Sequence, residues 1–258
     1  MKSETIRIDL LKIAILIPSY NECKYIGDVI KKCLKYNLDI IVINDGSTDN
    51  TDSVLKELKE SLENKLTVIN HEINQGKGEA LKTGFNYVIN NNHSGVITID
   101  ADGQHDVDEI QNFLDEIEKS NPDLIVGSRF NNTKGMPYIR RFVNYFTSWI
   151  ISGIAGKKIA DVQSGYRFLN LKVLKNIKLE TKNFDTEPEI LLKAGWSDYH
   201  IKNIPIKTIY HLDEFKSHVN PVKDTIKFFK LVFKSFVWKK RFFEEKKSAK
   251  KVFSENSN

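Results

Sequence analysis

Short apolar runs alternate with segments of helical periodicity through the first half of the chain, and this alternation restricts the fold more than any other feature of the sequence. The apolar runs lie at 13–17, 40–43, 66–69, 96–99 and 124–126, and the helical patterns lie at 25–34, 51–62, 77–89 and 107–117. Strands that alternate with helices form a largely parallel sheet with helices on both faces. The sequence therefore predicts an α/β fold.

Length and hydropathy predict how the chain is organised. A chain of 258 residues is long enough for one α/β core with an appendage. The run 13–17 is too short for a signal segment or a membrane span, and no other stretch is long and uncharged enough for one. We expect no transmembrane helix, a folded domain over 1–211, an amphipathic helix over 212–241, and a charged, disordered tail over 242–258.

The positive charge of the chain belongs to its C-terminal part. The net charge is +5, but from Lys216 onward 12 Lys and Arg stand against 4 Asp and Glu, whereas the residues before it hold 27 against 30. A nucleic-acid-binding protein more often carries its basic patch on the folded domain. We therefore expect no nucleic-acid partner and predict that the C-terminal segment docks on a surface.

Four polar motifs follow strand-like runs or open the next helix. They are ProSerTyrAsnGlu at 18–22, AsnAspGlySerThrAsp at 44–49, AsnGlnGlyLysGly at 74–78 and AspAlaAspGlyGlnHis at 100–105. Each motif alone is also typical of an ordinary turn or helix cap. In an open α/β sheet, however, ligands bind outside the carboxyl ends of the strands. The convergence of all four motifs on that edge indicates a binding site.

Asp100, Asp102 and Gln104 form the candidate metal site. They follow the run 96–99, so a turning backbone could direct their oxygen atoms into one pocket. Hard oxygen ligands suit Mg²⁺ or Mn²⁺, which keep their other positions for water and substrate phosphates. The alternative is that Asp100 and Asp102 are ordinary loop residues while Asp106 and Glu109 cap the next helix.

Asp45 and Lys77 are candidates for contacts to a nucleotide. Ser47 or Asp49 suffices to cap the helix at 51–62, which leaves Asp45 available to accept hydrogen bonds from a base or ribose. Lys77 opens the next helix, where free backbone amides attract an anion. The GxxxxGK[ST] spacing of a P-loop is absent.

Taken in order, the motifs resemble those of glycosyltransferase family 2, and specifically its dolichyl-phosphate mannose synthase-like branch. The resemblance covers about residues 12–230 and continues through GlySerArgPhe at 127–130, MetProTyrIleArgArg at 136–141 and AspValGlnSerGlyTyrArg at 161–167. It implies a GT-A fold with a Rossmann-like sheet. The chain departs from the pattern at Asn44 and Asn144, and it lacks the C-terminal membrane spans of longer relatives.

The resemblance also implies roles for individual residues. Asp100, Asp102 and Gln104 would hold the metal on the diphosphate of the sugar donor. The contacts to that donor would come from Pro18, Tyr20, Glu22, Asp45, Lys77, Asp100 and Ala101. The acceptor phosphate would be bound by Arg129, Arg140 and Asn144, unless the arginines pair with local acids instead. Asp102, Arg129 and Arg140 are the expected catalytic residues.

The implied reaction is an inverting transfer of a mannose- or glucose-type sugar from a GDP- or UDP-sugar to a polyprenyl or dolichyl phosphate. An anionic phosphate acceptor needs no general base. A sugar-hydroxyl acceptor, the alternative within the family, would need a carboxylate such as Asp161, Glu187 or Glu189. A non-catalytic nucleotide-binding membrane scaffold would predict loss of the metal residues. A nucleotidyltransferase would more often have a Gly-rich loop after its first strand.

The basic C-terminal segment has the pattern of an amphipathic helix. Its apolar row is Val222, Ile226, Phe229, Phe233 and Phe236, and its basic row is Lys223, Lys227, Lys230 and Lys234. Such a helix could lie in the interface of an anionic leaflet. We therefore expect a cytoplasmic protein that is peripherally associated with the cytoplasmic face of a membrane. The alternative is that the apolar row packs on the domain itself or on a second subunit.

Overall fold

A computed structural model describes residues 12–131, 138–183, 185–209 and 221–255. The strands are β1 (Ile13–Ser19), β2 (Asp39–Asn44), β3 (Leu66–Asn70), β4 (Gly95–Thr98), β5 (Leu124–Ser128), β6 (Arg167–Asn170) and β7 (Ile201–Pro205). The helices are α1 (Ile26–Cys33), α2 (Thr51–Leu62), α3 (Lys77–Asn90), α4 (Ile110–Ser120), α5 (Tyr138–Ala155), α6 (Leu171–Asn176), α7 (Thr186–Trp196) and α8 (Pro221–Glu255). The alternation predicted for the first half of the chain is confirmed.

The strands form one seven-stranded sheet in the order β3-β2-β1-β4-β6-β5-β7. All neighbouring pairs are parallel except those of β6, which runs antiparallel to β4 and to β5. The predicted mostly parallel sheet is therefore confirmed, with one antiparallel strand inserted. Strands β6 and β7 were not predicted from the sequence, because β6 is only four residues long and β7 mixes apolar with polar residues.

Helices cover both faces of the sheet, as predicted. One buried cluster joins the sheet to the apolar stripes of α1, α2 and α4. A second cluster on the opposite face joins it to α3, α5, α6 and α7. Strands buried on both faces read as continuous apolar runs, which is why 13–17 and 40–43 are recognisable in the sequence.

The C-terminal helix packs on the domain through one of its faces. Leu231 and Trp238 are buried in the second cluster, and the Phe242 ring lies 6.0 Å from that of Trp196. Three members of the apolar row named above, Phe229, Phe233 and Phe236, are exposed on this helix. No helix among the described residues is long and apolar enough to cross a membrane.

Helix α8 continues beyond Arg241 to Glu255, whereas the sequence analysis expected disorder over 242–258. Residues after Arg241 include Glu, Lys and Ala, which favour helix, and Lys240 lies 3.9 Å from Glu244 one turn later. The packing of Phe242 against Trp196 stabilises the first turn of this extension. The expected boundary between 211 and 212 lies outside the described residues, as do 256–258.

Gly46 fixes the loop that follows β2. Its φ of +66° lies in the left-handed region, and a Cβ atom there would lie 2.5 Å from the backbone nitrogen of Asn74. Both features exclude a side chain at this position. The loops after β2 and β3 therefore pack backbone to backbone.

We predict that Gly46→Ala lowers the free energy of unfolding by about 2–4 kcal/mol, because it combines left-handed strain with a backbone overlap. The control is Gly153→Ala within α5, where an added Cβ meets nothing within 4 Å. That control should be neutral or stabilising by up to about 1 kcal/mol. Urea unfolding of both variants measures the difference, and equal effects would contradict this account of Gly46.

Candidate active site

The carboxyl ends of the parallel strands bring the predicted motifs to one edge of the sheet. Pro18 is the buried penultimate residue of β1, and the exposed Tyr20 follows it. The Glu22 carbonyl accepts the Ile26 amide at 3.0 Å and so begins α1. The Asp45 amide, just after β2, donates to the Ser19 carbonyl at 2.8 Å. The first two motifs thus meet directly.

Asp45 is engaged within the protein and is not free as the sequence suggested. Its Oδ1 lies 2.6 Å from His71 Nδ1 and accepts the Gln75 amide at 3.0 Å, while Oδ2 accepts the Gly76 amide at 2.8 Å. The carboxylate is buried. Asp45 therefore holds the loop 71–76 in place before α3, and a contact from it to a nucleoside stays a prediction.

Lys77 is the cation at the centre of the site. Its Nζ lies 2.6 Å from Asp100 Oδ1 and 3.1 Å from Glu187 Oε1. Lys77 begins α3, Asp100 lies two residues beyond the end of β4, and Glu187 lies in the first turn of α7. Burial would lower the pKa of Lys77, but the charges of Asp100 and Glu187 outweigh it and raise the pKa. Lys77 is therefore held as a charged ammonium.

Asp100 and Asp102 have opposite electrostatic surroundings. Burial would raise the pKa of Asp100, but the charges of Lys77, His105 and Arg129 lower it to about 2. Burial, followed by the charge of Asp100, raises the pKa of Asp102. A cation beside Asp102 would offset both effects. The pair therefore fits a divalent ion.

The metal prediction depends on few side chains. Among the described residues, no group of three or more His, Cys, Asp or Glu side chains could hold a metal ion. Asp100 and Asp102 supply two carboxylates. The backbone amide of Gln104 donates to Asp102 Oδ1 at 2.9 Å, which closes the turn around Gly103 that follows the buried Ala101. Two carboxylates suffice for Mg²⁺ or Mn²⁺ where phosphates and water complete the shell.

The segment 161–167 packs directly on the carboxylates. A Cβ atom at Gly165 would lie 2.6 Å from both carboxylate oxygens of Asp100, so only glycine fits there. Thr98 donates its hydroxyl hydrogen to the Gly165 carbonyl at 2.7 Å. This contact explains the glycine of the motif at 161–167, whose place in the site the sequence did not reveal.

Arg129 follows β5 and forms a bidentate ion pair. Its Nε and Nη2 donate to the two oxygens of Asp161 at 2.7 and 2.9 Å, and both residues are buried. Arg129 therefore pairs with an acidic residue of the protein, which is the alternative given for it in the sequence analysis. Arg140 lies in the first turn of α5, but its side chain is outside the described residues. Asn144 is buried one turn later on the same helix.

The three candidate bases are now distinguished by their partners. Asp161 is fully buried against Arg129, and Glu189 is fully buried with Lys193 Nζ at 2.6 Å and the Thr181 amide at 2.9 Å. Neither can reach a substrate. Glu187 points to Lys77 beside Asp100 and is the carboxylate of the three that lies at the site.

Three supporting residues were missed by sequence reasoning. His71 bridges Asp45 and the Thr83 hydroxyl, with Nε2 2.9 Å from the latter. Arg167 donates from Nη1 to the Glu187 carbonyl at 2.8 Å. His105 accepts the Asp100 amide at Nδ1, and its ring lies 5.1 Å from that of Tyr166. His105 and Arg167 lie within the motifs at 100–105 and 161–167, whereas His71 belongs to none of the motifs.

Comparison of folds places this arrangement among known structures. A mannosyltransferase of Pyrobaculum calidifontis, solved in complex with GDP-Man and Mn²⁺, superposes with a TM-score of 0.56 at 16% identity. The match covers 80% of this chain and 59% of that chain, which is less than two thirds of its length. The mixed sheet with its carboxylates beyond β4 defines a GT-A fold.

Sequence comparison then gives the family. The model of Glycosyl transferase family 2 matches residues 14–177, and the chain belongs to that family. The UDP-N-acetylglucosamine--dolichyl-phosphate N-acetylglucosaminyltransferase of Methanococcus voltae is 35% identical over 215 residues, or 77% of this chain and 86% of that protein. The polyprenol monophosphomannose synthase of Mycolicibacterium smegmatis is 26% identical over 74% of this chain and 75% of its own length.

The assignment of Glu187 to the site and of Glu189 to the fold predicts different effects for two isosteric variants. Glu189→Gln removes the charge that balances the buried Lys193 and should lower the free energy of unfolding by about 3 kcal/mol. Glu187→Gln leaves Lys77 paired with Asp100, so the loss should be below about 1 kcal/mol. Denaturant unfolding compares them, and a larger loss for Glu187→Gln would reverse the two assignments.

Proposed function

We propose that this chain is an inverting glycosyltransferase that moves a sugar from a GDP- or UDP-sugar to the phosphate of a polyprenyl or dolichyl lipid. The observation that carries the proposal is the charged cluster of Lys77, Asp100, Asp102 and Glu187 at the carboxyl edge of a GT-A sheet. Both relatives described above are named for transfer to a polyprenyl-type phosphate or for its product. Their sugars differ, so the sugar is left to experiment.

The donor side of the proposed site is formed by the loops after β1, β2 and β3 with the start of α3. Asp100, Asp102 and Gln104 would hold Mg²⁺ or Mn²⁺, which would neutralise charge on the departing nucleoside diphosphate. Lys77 places a fixed positive charge beside Asp100. Tyr20 is exposed at the same edge and is suited to contact the nucleoside, together with Pro18, Glu22 and Asp45.

The acceptor side of the proposed site includes Arg129. Its positive charge is among those that lower the pKa of Asp100, which supports a role close to the carboxylates. The buried pair with Asp161 fixes the orientation of this guanidinium before any substrate binds. An acceptor phosphate oxygen would bond to the anomeric carbon while the bond from that carbon to the diphosphate oxygen breaks, with inversion. Arg140 and Asn144 would hold the same phosphate from α5.

Transfer to a saccharide hydroxyl is the second candidate, and the position of Glu187 favours it. A hydroxyl acceptor must lose a proton, and Glu187 is a carboxylate beside Lys77 and Asp100. A phosphate acceptor would leave Glu187 a purely electrostatic partner of Lys77.

We further propose that the protein works at the cytoplasmic face of a membrane. Its acceptor would be anchored there, and the exposed face of α8 carries Phe229, Phe233 and Phe236. Lys230 and Lys234 lie on the same helix. Lysines near an anionic leaflet contribute about 1 kcal/mol each to binding.

We expect nucleoside diphosphate release from GDP-Man, UDP-Glc or UDP-GlcNAc to require both a short polyprenyl phosphate and Mg²⁺ or Mn²⁺. Asp102→Asn should retain the unfolding midpoint but lose at least about 100-fold in kcat, because a metal ligand stabilises charge that develops in the transition state. Product release with a saccharide in place of the lipid phosphate would favour the second candidate. Full activity in excess EDTA would contradict the metal assignment.

The acceptor role of Arg140 is tested against its neighbour Arg141. With a short, water-soluble polyprenyl phosphate, Arg140→Ala should raise the KM for that acceptor about tenfold or more and leave the KM for the sugar donor nearly unchanged. Arg141→Ala removes an equal charge from the same turn and should change neither. Should Arg140→Ala weaken nucleotide-sugar binding in calorimetry, the residue belongs with the donor diphosphate.

A further inference from the structure

Helix α5 exposes aromatic side chains to solvent and buries polar side chains against the domain. Apart from Arg141, its exposed side chains are mainly apolar or aromatic and include Tyr138, Phe142, Tyr145, Phe146 and Trp149, which we call the α5 aromatic face. The side chains it buries against the domain include Asn144, Thr147 and Ser148. A helix on the surface of a water-soluble domain normally turns its polar side outward. The arrangement of α5 therefore indicates that its outer face meets an apolar medium.

The α5 aromatic face is continuous. The Phe142 and Phe146 rings lie 6.2 Å apart, and the Phe146 and Trp149 rings lie 6.2 Å apart. With Arg141, the five aromatic residues line an open groove of about 440 Å³. Exposed apolar patches of this kind mark interaction sites.

The same surface extends onto α8. A second groove, of about 710 Å³, is lined by Trp149 of α5 and by Phe236 and Lys239 of α8. Lys239 also donates to the Ile154 carbonyl at 3.2 Å, which ties the two helices together. The α5 aromatic face and the exposed face of α8 therefore belong to one surface.

The charged side chains that line the two grooves are all basic, although Lys157 also pairs with the exposed Asp198 at 2.6 Å. Between Tyr138 and Ala160 the sequence contains Arg140, Arg141, Lys157 and Lys158 and no acidic residue. No acidic side chain lines either groove. A symmetric dimer on this surface would bring lysines from both copies together, which costs energy. An anionic lipid leaflet instead complements the charge and takes up the aromatic rings.

The surface begins beside the proposed acceptor site. Phe130 directly follows Arg129, and its ring lies 5.1 Å from that of Tyr145 on the α5 aromatic face. A phosphate held near Arg129 would thus have an apolar surface next to it for its hydrocarbon chain. The position of α5 would then determine how far the proposed acceptor site lies from the lipid leaflet.

We propose that the α5 aromatic face and the exposed face of α8 form a single membrane-docking surface, with the rings of α5 inserted below the headgroups of an anionic leaflet. The link to the acceptor rests on the proposed function, but the docking itself does not. It places α5, which the sequence analysis did not associate with the membrane, in the lipid contact.

The tryptophans of the chain provide a direct probe. Trp149 is 70% exposed, whereas Trp196 and Trp238 are 5% and 3% exposed. Lipids with brominated acyl chains quench only a tryptophan that reaches them. The full-length protein is mixed at low salt with vesicles of phosphatidylcholine and phosphatidylglycerol carrying such chains, without any polyprenyl phosphate. We expect quenching that Trp149→Phe abolishes while sedimentation with the vesicles persists.

Matched double variants separate the two helices. Phe142→Ser/Phe146→Ser should weaken vesicle partitioning at least about tenfold, because each phenylalanine side chain loses the free energy of transfer from water. Ile73→Ser removes an exposed apolar residue from the loop after β3 and should have no effect. Phe229→Ser/Phe233→Ser should weaken partitioning as well. Circular dichroism and the unfolding midpoint confirm that each variant is folded.

Three outcomes would overturn the inference. The full-length protein fails to sediment with these vesicles, or Phe142→Ser/Phe146→Ser partitions as well as the unchanged protein, which would leave docking to α8 alone. The third is a vesicle-independent dimer in analytical ultracentrifugation that the same variant dissociates, which would make a second copy the occupant. Sugar transfer to a short, water-soluble polyprenyl phosphate is scored separately, so failure of the proposed function leaves the vesicle result readable.

Discussion

The ion cluster of Lys77, Asp100 and Glu187 is the interaction on which the site depends. Each of these partly buried charges would be costly alone, and their mutual pairing is what permits three charged side chains to lie at one sheet edge. The cluster joins the start of α3 to the end of β4 and the start of α7. Gly78 lets α3 approach Thr186 closely enough for the Lys77 ammonium to reach both carboxylates. The same ion pairs therefore form the polar site and hold α3 against α7.

Periodicity and position predicted the part of the structure that depends on local pattern. The buried runs became parallel strands because burial on both faces demands uninterrupted apolar residues, as in β1 and β2. Strand polarity then placed Asp45, Lys77 and Asp100 at one edge without any knowledge of side-chain contacts. Asp106 was expected to cap the next helix, and its side chain does accept the Asp108 amide at 3.0 Å.

Partners distant in sequence were beyond such reasoning. Arg129 and Asp161 are 32 positions apart, and Asp45 and Gly76 are 31 apart, so nothing local indicates that each acid is already engaged. The residue type gives the chemistry that a side chain can perform, but burial and partners decide whether it faces substrate or protein. Asp161, Glu187 and Glu189 look equivalent in the sequence, and their neighbours alone separate them. The antiparallel strand β6 was not predicted either, because four residues are too few to show a strand periodicity.

In α5 the local pattern and the fold disagree in a consistent direction. Burying Asn144, Thr147 and Ser148 while exposing five aromatic rings forgoes the hydrophobic stabilisation that the opposite orientation would give in water. The domain holds this orientation because Ile151 and Ala155 anchor the C-terminal half of the helix in the core. A chain that keeps such a helix gains where the outer surroundings are themselves apolar. The orientation of α5 thus connects the packing of the core to the surface on which the site would operate.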